Sequence, residues 1–108
     1  MVRQGDIIKL DFSPTAGHEQ SGYRPAVVVS NDFVIAKTNV VYVAPVTNTI
    51  RNFPLHVVLD ERTKTTGEIL CEQVKAVDLN ARQFTFIEQL PNDIFENVLT
   101  CIISCFDV

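Results

Sequence analysis

The hydrophobic pattern of this chain changes its period near Pro91, and that change constrains the fold more than any other feature. Before Pro91 the apolar residues come in short runs, and Ile8, Leu10 and Phe12 alternate with polar residues as on one face of a β-strand. After Pro91 they recur at spacings of three and four, which indicates an amphipathic helix containing Ile94, Phe95, Val98, Leu99, Ile102, Ile103 and Phe106. The sequence therefore predicts a mainly β (α+β) protein that ends in a helix.

The short runs before this helix predict about six or seven strands. They lie at residues 5–12, 26–29, 40–46 and 54–59, in residues 68–79 as one long bent strand or two short ones, and around Phe84, Phe86 and Ile87. Pro45 has no amide hydrogen, so we expect it at a bulge or a sheet edge. Short strands followed by one helix predict a small, strongly bent sheet or partial β-barrel that the C-terminal amphipathic helix caps.

Length and composition limit the chain to an ordinary globular protein. It has 108 residues, of which 46% are hydrophobic and 20% charged. A chain of this kind can close one core without disulfides or a metal, so residues 1–108 are predicted to form a single domain. The N-terminus turns polar at once, and the apolar runs are far too short to cross a bilayer. We therefore expect a cytoplasmic protein with no signal peptide and no membrane association.

The net charge argues against a nucleic-acid partner. Nine Lys and Arg residues stand against thirteen Asp and Glu residues, for a formal charge of −4. Proteins that bind nucleic acids usually have a basic surface. A phosphate chain, however, responds to the potential within about 10 Å of a groove at moderate salt. The placement of individual cations must therefore decide whether RNA can bind.

The cysteines do not predict a metal site. Cys71, Cys101 and Cys105 are odd in number and lack the paired C-x-x-C spacing of zinc and redox motifs. Cys101 and Cys105 lie four residues apart in the predicted helix and thus on one face. Buried thiols are favoured over a metal pair, and no metal or other cofactor is expected.

Residues 5–31, with the sequence GDIIKLDFSPTAGHEQSGYRPAVVVSN, form the most specific pattern in the chain. Further elements follow in order: VAPVT at residues 43–47, Pro54, CEQVK at residues 71–75, and Asp78. These motifs resemble those of the MazF/PemK family of toxin ribonucleases, and the N-terminal motif matches almost position for position. The resemblance spans nearly the whole chain and is weakest after Arg82, where only helical character is shared.

The resemblance implies a fold, an activity and partners. Members of the family fold as an SH3-like or CcdB-like partial β-barrel and cut single-stranded RNA at specific sequences without a metal. The 2′-hydroxyl attacks its own phosphate and leaves a 2′,3′-cyclic phosphate and a 5′-hydroxyl, and cleavage of messenger RNA inhibits translation and growth. The resemblance also implies a homodimer whose interface uses the sheet and the C-terminal helix. A cognate acidic antitoxin, partly disordered, is expected to cover the RNA groove.

The resemblance places Arg24 and Thr47 at the catalytic positions. The attack builds negative charge on the nonbridging phosphate oxygens, which a planar guanidinium meets with two charge-assisted hydrogen bonds. A threonine hydroxyl can donate to the same phosphate. Because a guanidinium rarely accepts a proton, Glu19 is the candidate base or orienting acceptor, and His18 is the alternative base. Without the family pattern, Glu19 would simply pair with Arg24, and Thr47 would be a turn or helix-cap residue.

Further polar residues are candidates for RNA binding: His18, Gln20, Asn48, Arg51 and Gln73. The amide of Gln73 can read a base edge, although a hydrogen bond to backbone at a strand end explains it nearly as well. Arg51 equally fits a solvated surface charge. Tyr23 and Phe53 can stack on a splayed base, and core packing is the alternative for Phe53.

One departure from the family pattern narrows the branch. PemK-type members have an arginine two positions before the acidic residue of an R-C-D-Q stretch, whereas residues 70–73 here are Leu-Cys-Glu-Gln. Leucine cannot do the work of that arginine. This favours a MazF-like mechanism that uses Arg24 and Thr47 over one that depends on the PemK-type arginine. A noncatalytic topoisomerase-binding toxin of the CcdB type is the alternative function on this fold. Its gyrase-binding end uses a tryptophan, and this chain contains none.

Overall fold

The computed structural model describes residues 1–13, 17 and 22–107. Its strands are β1 (Asp6–Asp11), β2 (Tyr23–Val28), β3 (Val40–Thr47), β4 (His56–Val58), β5 (Glu68–Leu70), β6 (Lys75–Asp78) and β7 (Phe84–Gln89). The helices are α1 (Asp32–Thr38) and α2 (Asn92–Ser104), and a 3₁₀ turn (Cys71–Gln73) joins β5 to β6. The predicted mainly β fold with a C-terminal helix is confirmed. Within the described ranges, no helix is long and apolar enough to span a membrane.

The strands pair in an antiparallel sheet with the order β4-β5-β3-β2-β1-β7, while β6 pairs with β3 outside this path. One side of β3 changes its partner along its length, from β6 at Val40–Val43 to β5 at Val46 and Thr47. Pro45 lies between these two segments and opposite Ala26 of β2. It therefore lies at a break between two partners and not at the outer edge of the sheet, and its missing amide hydrogen removes no bond to β5 or β6.

Alternation along the strands gives the sheet two apolar faces. One face packs against α2, which buries Ile94 and Val98 in a core with Ile7, Val27, Val29, Ala44, Val46, Leu59, Ile69, Cys71 and Leu90. The other face encloses a second core, to which α1 contributes Ile35, with Val2, Ile8, Leu10, Phe12, Ala26, Val28, Val41, Val43 and Val77. Both faces of β2 and β3 are thus buried, which explains their continuous β-branched runs.

Two strands, β2 and β4, start two or more residues away from their predicted starts. β2 begins at Tyr23, three residues early, because Arg24 and Pro25 continue the register with β1 at Leu10 and Lys9. β4 is shorter than residues 54–59 because its predicted start forms a turn. Of the two possibilities for residues 68–79, two short strands is correct, since the 3₁₀ turn separates β5 from β6.

The sequence did not predict helix α1. It predicted only that the preceding strand ends at Asn31 and Asp32. The break is a helix start: the Asn31 side chain accepts a hydrogen bond from the amide of Val34 at 2.9 Å. Asn39 ends the helix in the left-handed conformation and donates its amide to the carbonyl of Ile35. A helix of seven residues with one buried side chain is too short to show a helical period.

Candidate active site

Strand pairing brings Arg24 and Thr47 together. Ala26 of β2 pairs with Pro45 of β3, and the same register continued by two residues places Arg24 opposite Thr47 on one face of the sheet. The half-buried Arg24 donates a hydrogen bond from Nη1 to the carbonyl of Val46 at 3.3 Å. This bond and the strand backbone hold the guanidinium beside Thr47, at the end of the sheet where β3 leads into a loop.

The hydroxyl of Thr47 is held in place but keeps a hydrogen to donate. Its Oγ1 accepts a hydrogen bond from the amide of Thr49 at 3.2 Å, and the residue is only 8% exposed. Because this contact uses the oxygen as an acceptor, the hydroxyl hydrogen can point towards a ligand. The geometry therefore suits a donor to a phosphate oxygen.

Arg24 and Thr47 open into a polar groove with a volume of about 520 Å³. Its other lining residues are Lys9, Tyr23, Pro25, Val46, Asn48, Thr49 and Ile87. Another cavity, of about 700 Å³, is lined by Met1, Val2, Arg3, Asp6, Phe84, Phe86, Glu88 and Gln89 and includes none of the predicted site residues. The groove is therefore the candidate site, since it combines a guanidinium, a hydroxyl and an amide.

Lys9 is a groove residue that sequence reasoning missed. It pairs with Pro25 across β1 and β2, and its Nζ lies 5.3 Å from the centre of the Tyr23 ring. In the sequence Lys9 is only an outward-facing residue between two apolar neighbours. Its position in the groove depends on the strand register, which a single sequence does not provide. The groove thus has a second cation beside Arg24.

The predicted RNA contacts occupy different places. Asn48 lines the groove, and its Oδ1 accepts a hydrogen bond from the Thr66 hydroxyl at 2.7 Å. Arg51 is exposed in the same loop. Gln73 ends the 3₁₀ turn and is not a lining residue of the groove. Phe53 is 47% exposed, so the alternative of core packing for it is wrong.

The remaining predicted site residues, His18, Glu19 and Gln20, lie outside the described residues. Their predicted roles stay predictions. Arg82 donates hydrogen bonds from Nη1 to the carbonyls of Asp11 and Ser13 at 3.0 and 2.8 Å, where the chain leaves β1 towards them.

The sequence also showed no sign of a hydrogen-bonded row of two carboxylates and an imidazole that begins beside Thr47, at its strand partner Glu68. The Glu68 carboxylate accepts hydrogen bonds from the amides of Arg51 at 3.1 Å and Asn52 at 3.2 Å. Its Oε1 also lies 3.1 Å from Nδ1 of His56, whose Nε2 lies 2.9 Å from Glu72. The backbone hydrogen bond from Arg51, with help from His56 and Asn52, keeps the pKa of Glu68 below its usual value despite burial.

The thiols only partly follow the prediction that they are buried. Cys71 is buried, and desolvation raises its pKa to about 12, so it is a poor nucleophile. Cys105 is exposed, contrary to the prediction, because it lies just beyond the end of α2. Among the residues that the structure describes, no group of three or more His, Cys, Asp or Glu side chains is arranged to hold a metal ion.

Comparison with known proteins identifies relatives of this chain. The family model described as "PemK-like, MazF-like toxin of type II toxin-antitoxin system" matches residues 3–106. The endoribonuclease toxin MazF of Escherichia coli K12 is 41% identical over 81 residues, which cover 75% of this chain and 72% of that protein.

Solved structures extend the comparison to the fold. MazF from Deinococcus radiodurans is 29% identical and superposes with a TM-score of 0.90, covering 96% of this chain and 94% of that one. A structure of the MazE–MazF complex from the same organism has a chain that is also 29% identical, with a TM-score of 0.84 over the same shares. The chain belongs to the PemK-like and MazF-like toxins of type II toxin-antitoxin systems.

Proposed function

We propose that this endoribonuclease toxin cleaves single-stranded RNA at specific sequences, without a metal ion, by attack of a ribose 2′-hydroxyl on the adjacent phosphate. The observation that carries this proposal is the placement of Arg24 opposite Thr47 in a polar groove. The relative from Escherichia coli is named an endoribonuclease, which favours RNA cleavage over the noncatalytic topoisomerase-binding alternative.

In this mechanism the 2′-oxygen forms a bond to phosphorus while the bond from phosphorus to the 5′-oxygen breaks. A base takes the 2′-hydroxyl proton, and the leaving 5′-oxygen gains a proton. The products are a 2′,3′-cyclic phosphate and a 5′-hydroxyl. Arg24 donates to the nonbridging oxygens, where negative charge develops, and Thr47 donates to the same phosphate. Both groups are fixed before the substrate arrives, so little reorganisation is needed in the transition state.

The proton transfer is assigned to the loop before β2. Glu19 is our candidate base, because a carboxylate can accept a proton whereas the guanidinium of Arg24 rarely can. His18 is the alternative base, since imidazole titrates near neutral pH. Activity that follows a group titrating near pH 6.5 in the Glu19→Gln variant would assign the role to His18.

We propose that a few cations near the groove bind the RNA phosphates. In this way the protein can bind RNA although its net charge is −4. Lys9 and Arg24 both line the groove, and Arg51 is exposed in the adjoining loop. Tyr23 is 45% exposed and offers a face for a base, with Lys9 near its ring. Gln20, Asn48 and Gln73 are the candidates for reading base edges.

We also propose a homodimer and a cognate acidic antitoxin. Ile94 and Val98 of α2 pack in the core of the chain itself, but Ile103 and Phe106 are 62% and 76% exposed. Phe106 also lines an apolar cavity of about 420 Å³ between α2 and the sheet. Exposed apolar area of this kind suits a second copy of the chain. The MazF of Deinococcus radiodurans forms a complex with MazE, which supports an equivalent partner here.

The proposal is tested with a long single-stranded RNA incubated with the purified protein in EDTA. Cut sites are mapped, and the new ends are identified chemically. We expect cleavage at a short recurring sequence, with cyclic phosphate and 5′-hydroxyl ends, and no cutting of an all-DNA strand. A strict metal requirement, or cleavage of DNA, would exclude the 2′-hydroxyl mechanism.

A further inference from the structure

Glu68 is a buried acid that the proposed cleavage does not use. Its side chain is 0% exposed, although an ionised carboxylate is costly to bury unless hydrogen bonds compensate it. In β5 it pairs with Thr47 of β3, so it lies beside the end of the strand that carries Thr47. The groups that the Glu68 carboxylate binds should therefore explain why a charge is buried here.

The carboxylate holds the backbone of the loop that follows Thr47. Oε1 accepts the amide hydrogen of Arg51, and Oε2 accepts that of Asn52. Asn52 has a φ of 53°, in the left-handed region that few residues adopt without support. Each carboxylate oxygen therefore meets a backbone donor, and together they fix the loop at its most strained point.

The neighbours of Glu68 hold the rest of residues 48–53, which we name the grip loop. Thr66 donates its hydroxyl to the side chain of Asn48. A Cβ on Gly67 would lie 2.1 Å from the carbonyl oxygen of Thr47, so only glycine allows this close approach. At the other end, the Phe53 ring contacts the His56 ring at 5.1 Å, and the Phe53 carbonyl accepts the amide of His56 at 2.9 Å.

From these contacts we infer that Glu68 is a positioning residue that keeps the grip loop in the shape that binds RNA. This inference rests on the proposed function, because the loop contains Asn48 and Arg51, both proposed RNA contacts. The position of Thr47 is fixed mainly by the backbone of β3, whose pairing with β5 does not depend on the Glu68 side chain, and its hydroxyl contacts the grip loop at Thr49, away from the two amides that Glu68 holds. Loss of the Glu68 contacts should therefore weaken substrate binding more than it slows the chemical step.

Glu68→Gln is the decisive variant. The amide has one acceptor oxygen and one NH₂ group, so in either orientation the NH₂ faces the amide hydrogen of Arg51 or that of Asn52. Steady-state cleavage of an oligonucleotide with the mapped cut site should show KM raised about tenfold and kcat changed less than about threefold. Binding of the same oligonucleotide with a 2′-O-methyl group at the cut site should weaken equally.

The matched control is Asp6→Asn. Asp6 is also buried, at 4% exposure, and its carboxylate accepts the amide hydrogen of Arg3 at 2.9 Å, away from the groove. This variant should keep the wild-type KM. A merely structural role for Glu68 would lower the folded fraction, and thereby kcat, with KM unchanged; that result would overturn the inference. If Glu68→Gln does not fold, Glu68→Asp, which keeps the charge but shortens the reach, takes its place.

Amide hydrogen exchange separates this inference from the proposed function. In Glu68→Gln the amides of Arg51 and Asn52 should exchange faster than in the wild type, whether or not the protein cleaves RNA. Unchanged exchange at both amides would refute the positioning role. If the wild-type protein does not cleave RNA, the proposed function is refuted instead. The role of Glu68 would then still be decided by two measurements, amide hydrogen exchange and binding of the 2′-O-methyl oligonucleotide.

Discussion

Replacement of Arg24 by alanine should remove nearly all RNA cleavage while the protein stays folded. A preorganised donor to developing charge stabilises a transition state by about 3 to 4 kcal/mol, and 1.36 kcal/mol corresponds to a tenfold change in rate. Loss of one such donor therefore slows kcat about 100- to 1,000-fold. The guanidinium can supply two donors to the phosphate, so we expect a loss at or above the upper end of this range.

The effect on the fold should be small by comparison. Arg24 is only half-buried and belongs to neither apolar core, so its replacement leaves the packing of both cores intact. Single-turnover cleavage by saturating enzyme measures the chemical step, and thermal unfolding measures the fold. Arg24→Lys keeps the positive charge without the planar fork, so it should recover only part of the rate.

Arg62→Ala is the matched control for charge. Arg62 forms exposed ion pairs with Asp60 and Asp93 and is not among the lining residues of the groove. This variant has the same change in net charge and should cleave RNA like the wild type. Wild-type kcat in Arg24→Ala would refute the site, and equal losses in both arginine variants would show that net charge, and not position, controls cleavage.

Two further predictions concern residues of the groove, and a third concerns the stability of the fold. Thr47→Val should lower kcat about 10- to 100-fold while Thr47→Ser keeps most of the activity, because only serine retains the hydroxyl; equal single-turnover rates would exclude this role. Lys9→Met should reduce the slope of log affinity against log salt by about 0.7, and an unchanged slope would show that Lys9 contacts no phosphate. Burial opposes but does not overcome the hydrogen bonds from Thr65 and Lys64, which hold the pKa of Glu88 below 4.5. Glu88 therefore stabilises the fold above pH 4.5 and loses this effect as the pH falls through its lowered pKa. Denaturation across that range should show a weaker acid dependence in Glu88→Gln, and an identical dependence would refute the assignment.

The fold could be read largely from the sequence because its elements depend on local periodicity. The alternation around Ile8 and the helical spacing after Pro91 each report which side chains face a core. Helix α1 could not be read in this way, since it is short and buries only Ile35. The start of β2 at Tyr23 was missed because pairing with β1, and not local preference, extends that strand.

Some residues of the candidate site could likewise be proposed from the sequence, and others only from the structure. Motifs pointed to Arg24 and Thr47, because their chemistry is tied to residue type and to a recognisable pattern. The sequence by itself determined the alternation of strands, the final helix and the family, and it proposed these two residues for the site. Only the tertiary structure decided that Lys9 joins the groove and that Glu68 lies beside Thr47 in the adjacent strand. Both facts depend on strand register, which is set by long-range pairing. Between β5 and β3, Gly67 also permits the close approach to the carbonyl of Thr47.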